Sequence, residues 1–222
     1  MGFVDSRFRT LRAAAHRGLA GKSSGGFGAI VWALLRPDLF GGFATHAGDA
    51  LFEVSLAPEF AMAAQTLRNQ YGGSFERFWE DFRSGRPVLA NRTDPVLQNV
   101  YAVAAAFSPG AGGSVELPFR LDTGELVPDV WMRWLAFDPV RLASSHAEAL
   151  RGLRAIWIDA GRGDEYRLDL GATAFRAAVT SSGVAEDVIH FELFEGGHRN
   201  INWRFPLSLA FLAERLGRTA SS

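Results

Sequence analysis

The sequence predicts an α/β fold, with a mainly parallel sheet of about four strands, flanking helices and a helical insertion. Three observations predict it. Short apolar segments bounded by glycine alternate with longer segments of helical period. The first such pair, 18–22 and 27–35, is joined by a turn of a few small residues. The run 49–154, between the second and third candidate strands, is helical in period throughout. Strands alternating with helices argue for a parallel sheet, with ligands at the carboxyl ends of its strands.

Taken in order, Phe8, Leu11 and Ala15 at helical spacing predict a helix over 6–17, stopped by Gly18. A short strand over 18–22 follows, then a buried helix over 27–35 that ends at Arg36-Pro37, where the proline disfavours helical backbone in the residue before it. Candidate strands two, three and four are 43–47, 155–160 and 190–194, with helices predicted over 168–181 and 205–216 after the last two. The chain reads as one domain over 1–222, with 49–154 a helical, cap-like insertion rich in aromatics, among them Phe60, Tyr71, Phe75, Phe78, Trp79, Phe82, Tyr101, Phe107, Trp131 and Trp134. Aromatic side chains fill cores as readily as they line pockets, so packing accounts for them equally well.

Composition narrows the function classes. The 222 residues are 48% hydrophobic with a formal charge of -1, which supplies no concentrated basic field for nucleic acid or an anionic membrane. The longest apolar run, 29–35, is far short of the roughly 20 residues that span a bilayer. The first ten residues carry charge and lack the apolar stretch of a signal peptide, so a cytoplasmic location is expected. Cysteine is absent, which removes disulfides, thiolate metal sites and cysteine nucleophiles from consideration.

The chemistry concentrates at Gly21-Lys22-Ser23-Ser24-Gly25, a G-x-S-x-G sequence between a predicted strand and a predicted helix. Such a turn lifts a serine oxygen clear of the sheet on a strained backbone, and glycines flank it because a Cβ there would clash. Ser23 has both glycines; Ser24 is the following residue, whose backbone N–H can donate to an oxyanion. A serine hydroxyl needs a base, and the base needs an orienting group. His198, in Glu195-Gly196-Gly197-His198 directly after the fourth strand, suits the base better than His16, His46, His146 or His190. For the orienting acid, Asp164 lies in the loop beyond the third strand; Asp159 lies inside that strand and suits a brace, and Glu165 suits solvent. The order Ser, Asp, His is that of α/β-hydrolases.

The segments Gly21-Lys22-Ser23-Ser24-Gly25-Gly26-Phe27-Gly28-Ala29, Asp159-Ala160-Gly161 with Asp164-Glu165-Tyr166, and Phe194-Glu195-Gly196-Gly197-His198 resemble the "Putative esterase" family of α/β-hydrolases, which includes S-formylglutathione hydrolases, enterochelin esterases and feruloyl esterases. The resemblance covers essentially the whole chain. It implies a serine carboxylester hydrolase acting on small acyl or aryl esters through an acyl-enzyme, with Ser23 as nucleophile, Asp164 as acid and His198 as base, and with no cofactor. Ser24 stands where the family commonly has methionine, and Arg199 where it commonly has serine. Only 22 residues precede Ser23, where the family places about half of its sheet and its second oxyanion donor, so the chain resembles a C-terminal half or a shortened member that lacks the N-terminal strands. An elbow strand left at the sheet edge predicts a homo-oligomer covering that edge.

Three other readings compare with this one. A P-loop needs glycine five residues before Gly21, where His16 stands. The histidines are not spaced for a shared metal. A non-catalytic, hydrolase-derived binding protein remains the alternative to the esterase.

Overall fold

A computed structural model describes residues 1–84 and 94–217. In chain order its elements are α1 (Gly2–Arg7), β1 (Gly18–Lys22), α2 (Ser24–Leu35), β2 (Gly42–His46), α3 (Phe52–Ser55), α4 (Pro58–Tyr71), α5 (Phe75–Arg83), α6 (Asp94–Phe107), α7 (Pro128–Leu135), α8 (Pro139–Ser145), α9 (Ala147–Arg151), β3 (Ala155–Gly161), α10 (Leu168–Ser181), β4 (Ile189–Phe194) and α11 (Arg204–Gly217). They form two compact units, 1–55 with 138–222, and 56–137.

The first unit holds the sheet, in the order β1-β2-β3-β4 with every pair parallel. Parallel strands covered on both faces need apolar residues at successive positions, and the two inner strands, Gly42–His46 and Ala155–Gly161, are buried at every residue. Side chains alternate between the faces. Phe43, Ile156 and Ile158 join Ile30 and Leu34 of α2 and Phe175 and Val179 of α10 in one core, while Ala44, Ala155 and Trp157 pack on Leu212 and Leu216 of α11. By the same alternation His46 and Asp159, the partnered residues near the ends of β2 and β3, turn towards α11.

The second unit has its own aromatic core. Phe60 stacks on Phe119 at 4.9 Å and meets Trp131 and Trp134 edge-on, and Tyr71, Phe75, Phe78, Trp79, Phe82 and Tyr101 form a second cluster. The Trp134 indole N–H donates to Ser108 Oγ at 2.8 Å. Of the stretch 49–154, α3, α8 and α9 belong to the sheet unit.

One element departs from expectation. The predicted helix over 6–17 is instead a short helix at 2–7 and a single 3-10 turn at Ala14–His16, with Phe8 extended between them. Phe8 and Leu11, whose spacing suggested a buried face, are 66% and 51% exposed. The chain folds back on Asp5, whose carboxylate accepts from Thr10 Oγ1 at 2.8 Å and Arg17 Nη2 at 2.6 Å. Helical spacing without a surface to bury against does not hold a helix.

Candidate active site

The site is assembled from three strand ends. Between β1 and α2, Ser23 adopts φ 55° and ψ −129°, a conformation that costs a non-glycine residue of order 1–3 kcal/mol. Two hydrogen bonds hold it there. The Ser23 N–H donates to His46 O of β2 at 2.9 Å, and Ser23 O accepts the first turn of α2 from the Phe27 N–H at 2.9 Å. The turn is also so tight that a Cβ on Gly21 would lie 2.1 Å from the carbonyl oxygen of Gly25. That close approach accounts for Gly21 but not for Gly25, where a Cβ would meet nothing within 4 Å, so the expected clash holds on one side of Ser23 only. Ser24 opens α2, so its amide is one of the first-turn N–H groups that have no carbonyl within the helix.

The loop after β3 is laced to the loop after β4. Arg162 N–H donates to Phe194 O and Gly163 N–H to Gly196 O, both at 2.9 Å. Beyond this lacing lies His198, 7% exposed, as is Asp164. His198 Nδ1 is 2.9 Å from Asp164 Oδ2, and Nε2 is 3.1 Å from Ser23 Oγ. With Nδ1–H donating to the carboxylate, the lone pair of Nε2 faces the Ser23 hydroxyl, which donates to it. The other oxygen of Asp164 accepts the Tyr166 N–H at 2.9 Å and the Leu168 N–H at 3.4 Å, which fixes the carboxylate at the start of α10. Ser23, Asp164 and His198 are therefore brought together, and Ser24 lies beside them in sequence at the helix start.

The remaining histidines have other partners. His16 Nδ1 meets the Leu216 carbonyl, His146 Nδ1 meets Ser145 Oγ, and His190 stacks on Trp157 at 3.7 Å. His46 is fully buried, with Nδ1 2.7 Å from Asp159 Oδ1 and Nε2 2.9 Å from Ser208 Oγ. Asp159 also accepts from Trp157 Nε1 at 2.7 Å and from Arg204 Nε at 2.8 Å. Burial pushes the Asp159 carboxyl up, but hydrogen bonds and charge, first from His46, outweigh it and leave the group below the ordinary carboxylate range. Among the described residues no three His, Asp or Glu side chains converge as a metal-ligand cluster.

Glu165 is exposed, in keeping with its reading as solvated, but sequence reasoning missed its bond to the site. Its Oε2 accepts the backbone N–H of His198 at 2.7 Å. That bond is the foremost cause holding the Glu165 carboxyl below its ordinary value. The available signal was its position between two residues that also meet His198: Asp164, and Tyr166, whose ring lies edge-on to the imidazole at 5.0 Å.

A family model described as "Putative esterase" matches residues 1–213. The chain belongs to this esterase family. Among solved structures, a ferulic acid esterase matches with a TM-score of 0.51 and 15% identity over 97% of this chain and 56% of that one. An S-formylglutathione hydrolase from Agrobacterium tumefaciens matches with a TM-score of 0.49 and 17% identity, over 97% of this chain and 54% of that one. The chain thus spans little more than half the length of these structures, and the first of them supports the α/β-hydrolase type of fold. No curated protein sequence matches it. Among the described residues of this esterase-family chain, no helix is long and apolar enough to cross a membrane.

Proposed function

We propose that this esterase-family chain is a serine carboxylester hydrolase. The observation that carries the reading is the unbroken hydrogen-bonded line from Ser23 Oγ through His198 to Asp164, with its serine on a strained strand-to-helix turn. His198 Nε2 takes the Ser23 proton as Oγ attacks the ester carbonyl. Asp164 holds the imidazole in the required tautomer and stabilises its charged form. We assign the Ser24 N–H, at the first position of α2, as donor to the developing oxyanion, a kind of donor whose removal elsewhere costs about 10²–10³ in kcat. Collapse of the tetrahedral intermediate expels the alcohol, which takes the proton from His198, and water then releases the acid by the same path in reverse. No cofactor enters this scheme.

The substrate class follows from the machinery: a small-molecule ester, acyl or aryl. The aromatic residues of 56–137 pack largely on one another, so they carry no argument for an aryl acid. The test is hydrolysis of p-nitrophenyl acetate by the chain beside Ser23→Ala, followed by stopped flow. A burst and turnover that vanish in the variant support the reading. Equal background rates in both proteins refute it and favour a hydrolase-derived binding protein.

We further propose self-association along β1. Among the described residues β1 pairs with β2 alone, leaving its other edge unpaired beside an apolar groove lined by Leu11, Leu19, Leu209, Leu212 and Leu216. Sedimentation equilibrium at micromolar concentration should show an oligomer, and a monomer without aggregation contradicts this part.

A further inference from the structure

Three consecutive residues of the loop after β3 meet one histidine: Asp164 at Nδ1, Tyr166 edge-on to the ring, and Glu165 at the backbone N–H. The first two act on the imidazole. The third acts on the chain that carries it. His198 follows Gly196, at φ 149°, and Gly197, the least restrained backbone on which a base can be hung. The interloop bonds from Arg162 and Gly163 reach only as far as Gly196. Asp164 holds the ring of His198 and makes no bond to its main chain. The bond from the His198 N–H to Glu165 Oε2, at 2.7 Å, is the next rung of the same lacing and a charge-assisted one. The carboxylate lies close to Gly197, where a Cβ would come 3.1 Å from Glu165 Oε2.

We infer that Glu165 is a positioning residue for the proposed base: its carboxylate fixes the main chain at His198, so that Nε2 stays within reach of Ser23 Oγ. The inference rests on the reading of His198 as the base. It adds a second anchor, on the backbone, to the one Asp164 provides on the ring. Glu165 itself touches neither Ser23 nor the ester.

The test compares Glu165→Ala and Glu165→Gln in the full chain, reading kcat and KM for p-nitrophenyl acetate and the exchange of the His198 amide hydrogen by NMR. Glu165 is exposed, so both variants should fold. In Glu165→Ala, kcat should fall about ten- to a hundredfold, the scale of a small misplacement of a catalytic group, with KM unchanged. The His198 amide should lose protection while those of Arg162 and Gly163 keep theirs. Glu165→Gln, whose side-chain oxygen accepts the same bond, should restore both kcat and protection. Wild-type kcat and protection in Glu165→Ala, or a Glu165→Gln as impaired as the alanine variant, would overturn the inference. If Ser23→Ala shows that the chain is no esterase, the amide exchange alone still decides whether Glu165 holds the loop.

Discussion

The sheet unit contains two Ser–His–Asp arrangements, and by hydrogen-bond distance the buried one is the tighter. In the first, His198 spans Asp164 at 2.9 Å and Ser23 at 3.1 Å; in the second, His46 spans Asp159 at 2.7 Å and Ser208 at 2.9 Å. The differences lie around the triplets. Ser23 is half-buried on a strained turn that aims Oγ away from the sheet, whereas Ser208 lies inside α11 and is fully buried, as are His46 and Asp159. Asp164 gives its second oxygen to backbone amides, whereas Asp159 is already paired with Arg204, whose guanidinium lies over the rings of Trp157, Phe194 and Trp203. The hydrogen-bond pattern is therefore common to both triplets and does not by itself select the nucleophile. On the proposed assignment, exposure of the serine and the backbone that carries it separate the nucleophile's triplet from a brace that ties the ends of β2 and β3 to α11.

The sharpest way to break the contrast is to exchange the serines' fates. Ser23→Ala should lower kcat on the order of 10⁵- to 10⁶-fold, as removal of a triad nucleophile does elsewhere. Ser208→Ala should leave kcat near wild type, measured on the same p-nitrophenyl ester. Asp164→Asn should cost about 10⁴ in kcat, through the wrong tautomer of His198, without a comparable change in Tm. His46→Ala should act the other way, lowering stability by about 3–5 kcal/mol in urea denaturation because it opens a cavity and strips a buried carboxylate of one partner. Ser208→Ala should destabilise by about 1–3 kcal/mol, the cost of leaving a buried ring nitrogen unsatisfied.

The smallest effect expected is in pH. Asp159 is held below its ordinary value of 3.8, so the folded state binds its proton less readily than the unfolded chain does. The stability this contributes is fully present above 3.8 and is lost as pH falls through that value towards the lower folded one. Acid unfolding of Asp159→Asn should accordingly be flatter below about pH 4 than that of the wild type.

Much of this was legible in the sequence, because the chemistry of each position left a mark on it. The inner strands are apolar at consecutive positions because both faces are covered. Gly21 stands where the turn brings its backbone against that of Gly25. Asp164 and His198 follow strand ends, where a parallel sheet gathers its loops. What was not legible depends on register. His46 and Asp159 are 113 residues apart, and only the pairing of β2 with β3 turns them to the same face as Ser208. Glu165 is marked only by its place between Asp164 and Tyr166, because its partner is a backbone amide, which any residue offers. Phe8 and Leu11 misled because spacing reports a possible helical face, not the presence of something to bury it against.

The most direct test is to react the wild-type chain with a fluorophosphonate and map the adduct by peptide mass spectrometry with site-resolving fragmentation. A single adduct on Ser23, absent from Ser23→Ala and still formed by Ser208→Ala, is the result expected. An adduct on Ser24 or Ser208, or no adduct on the folded wild type, would contradict the assignment of Ser23 as nucleophile.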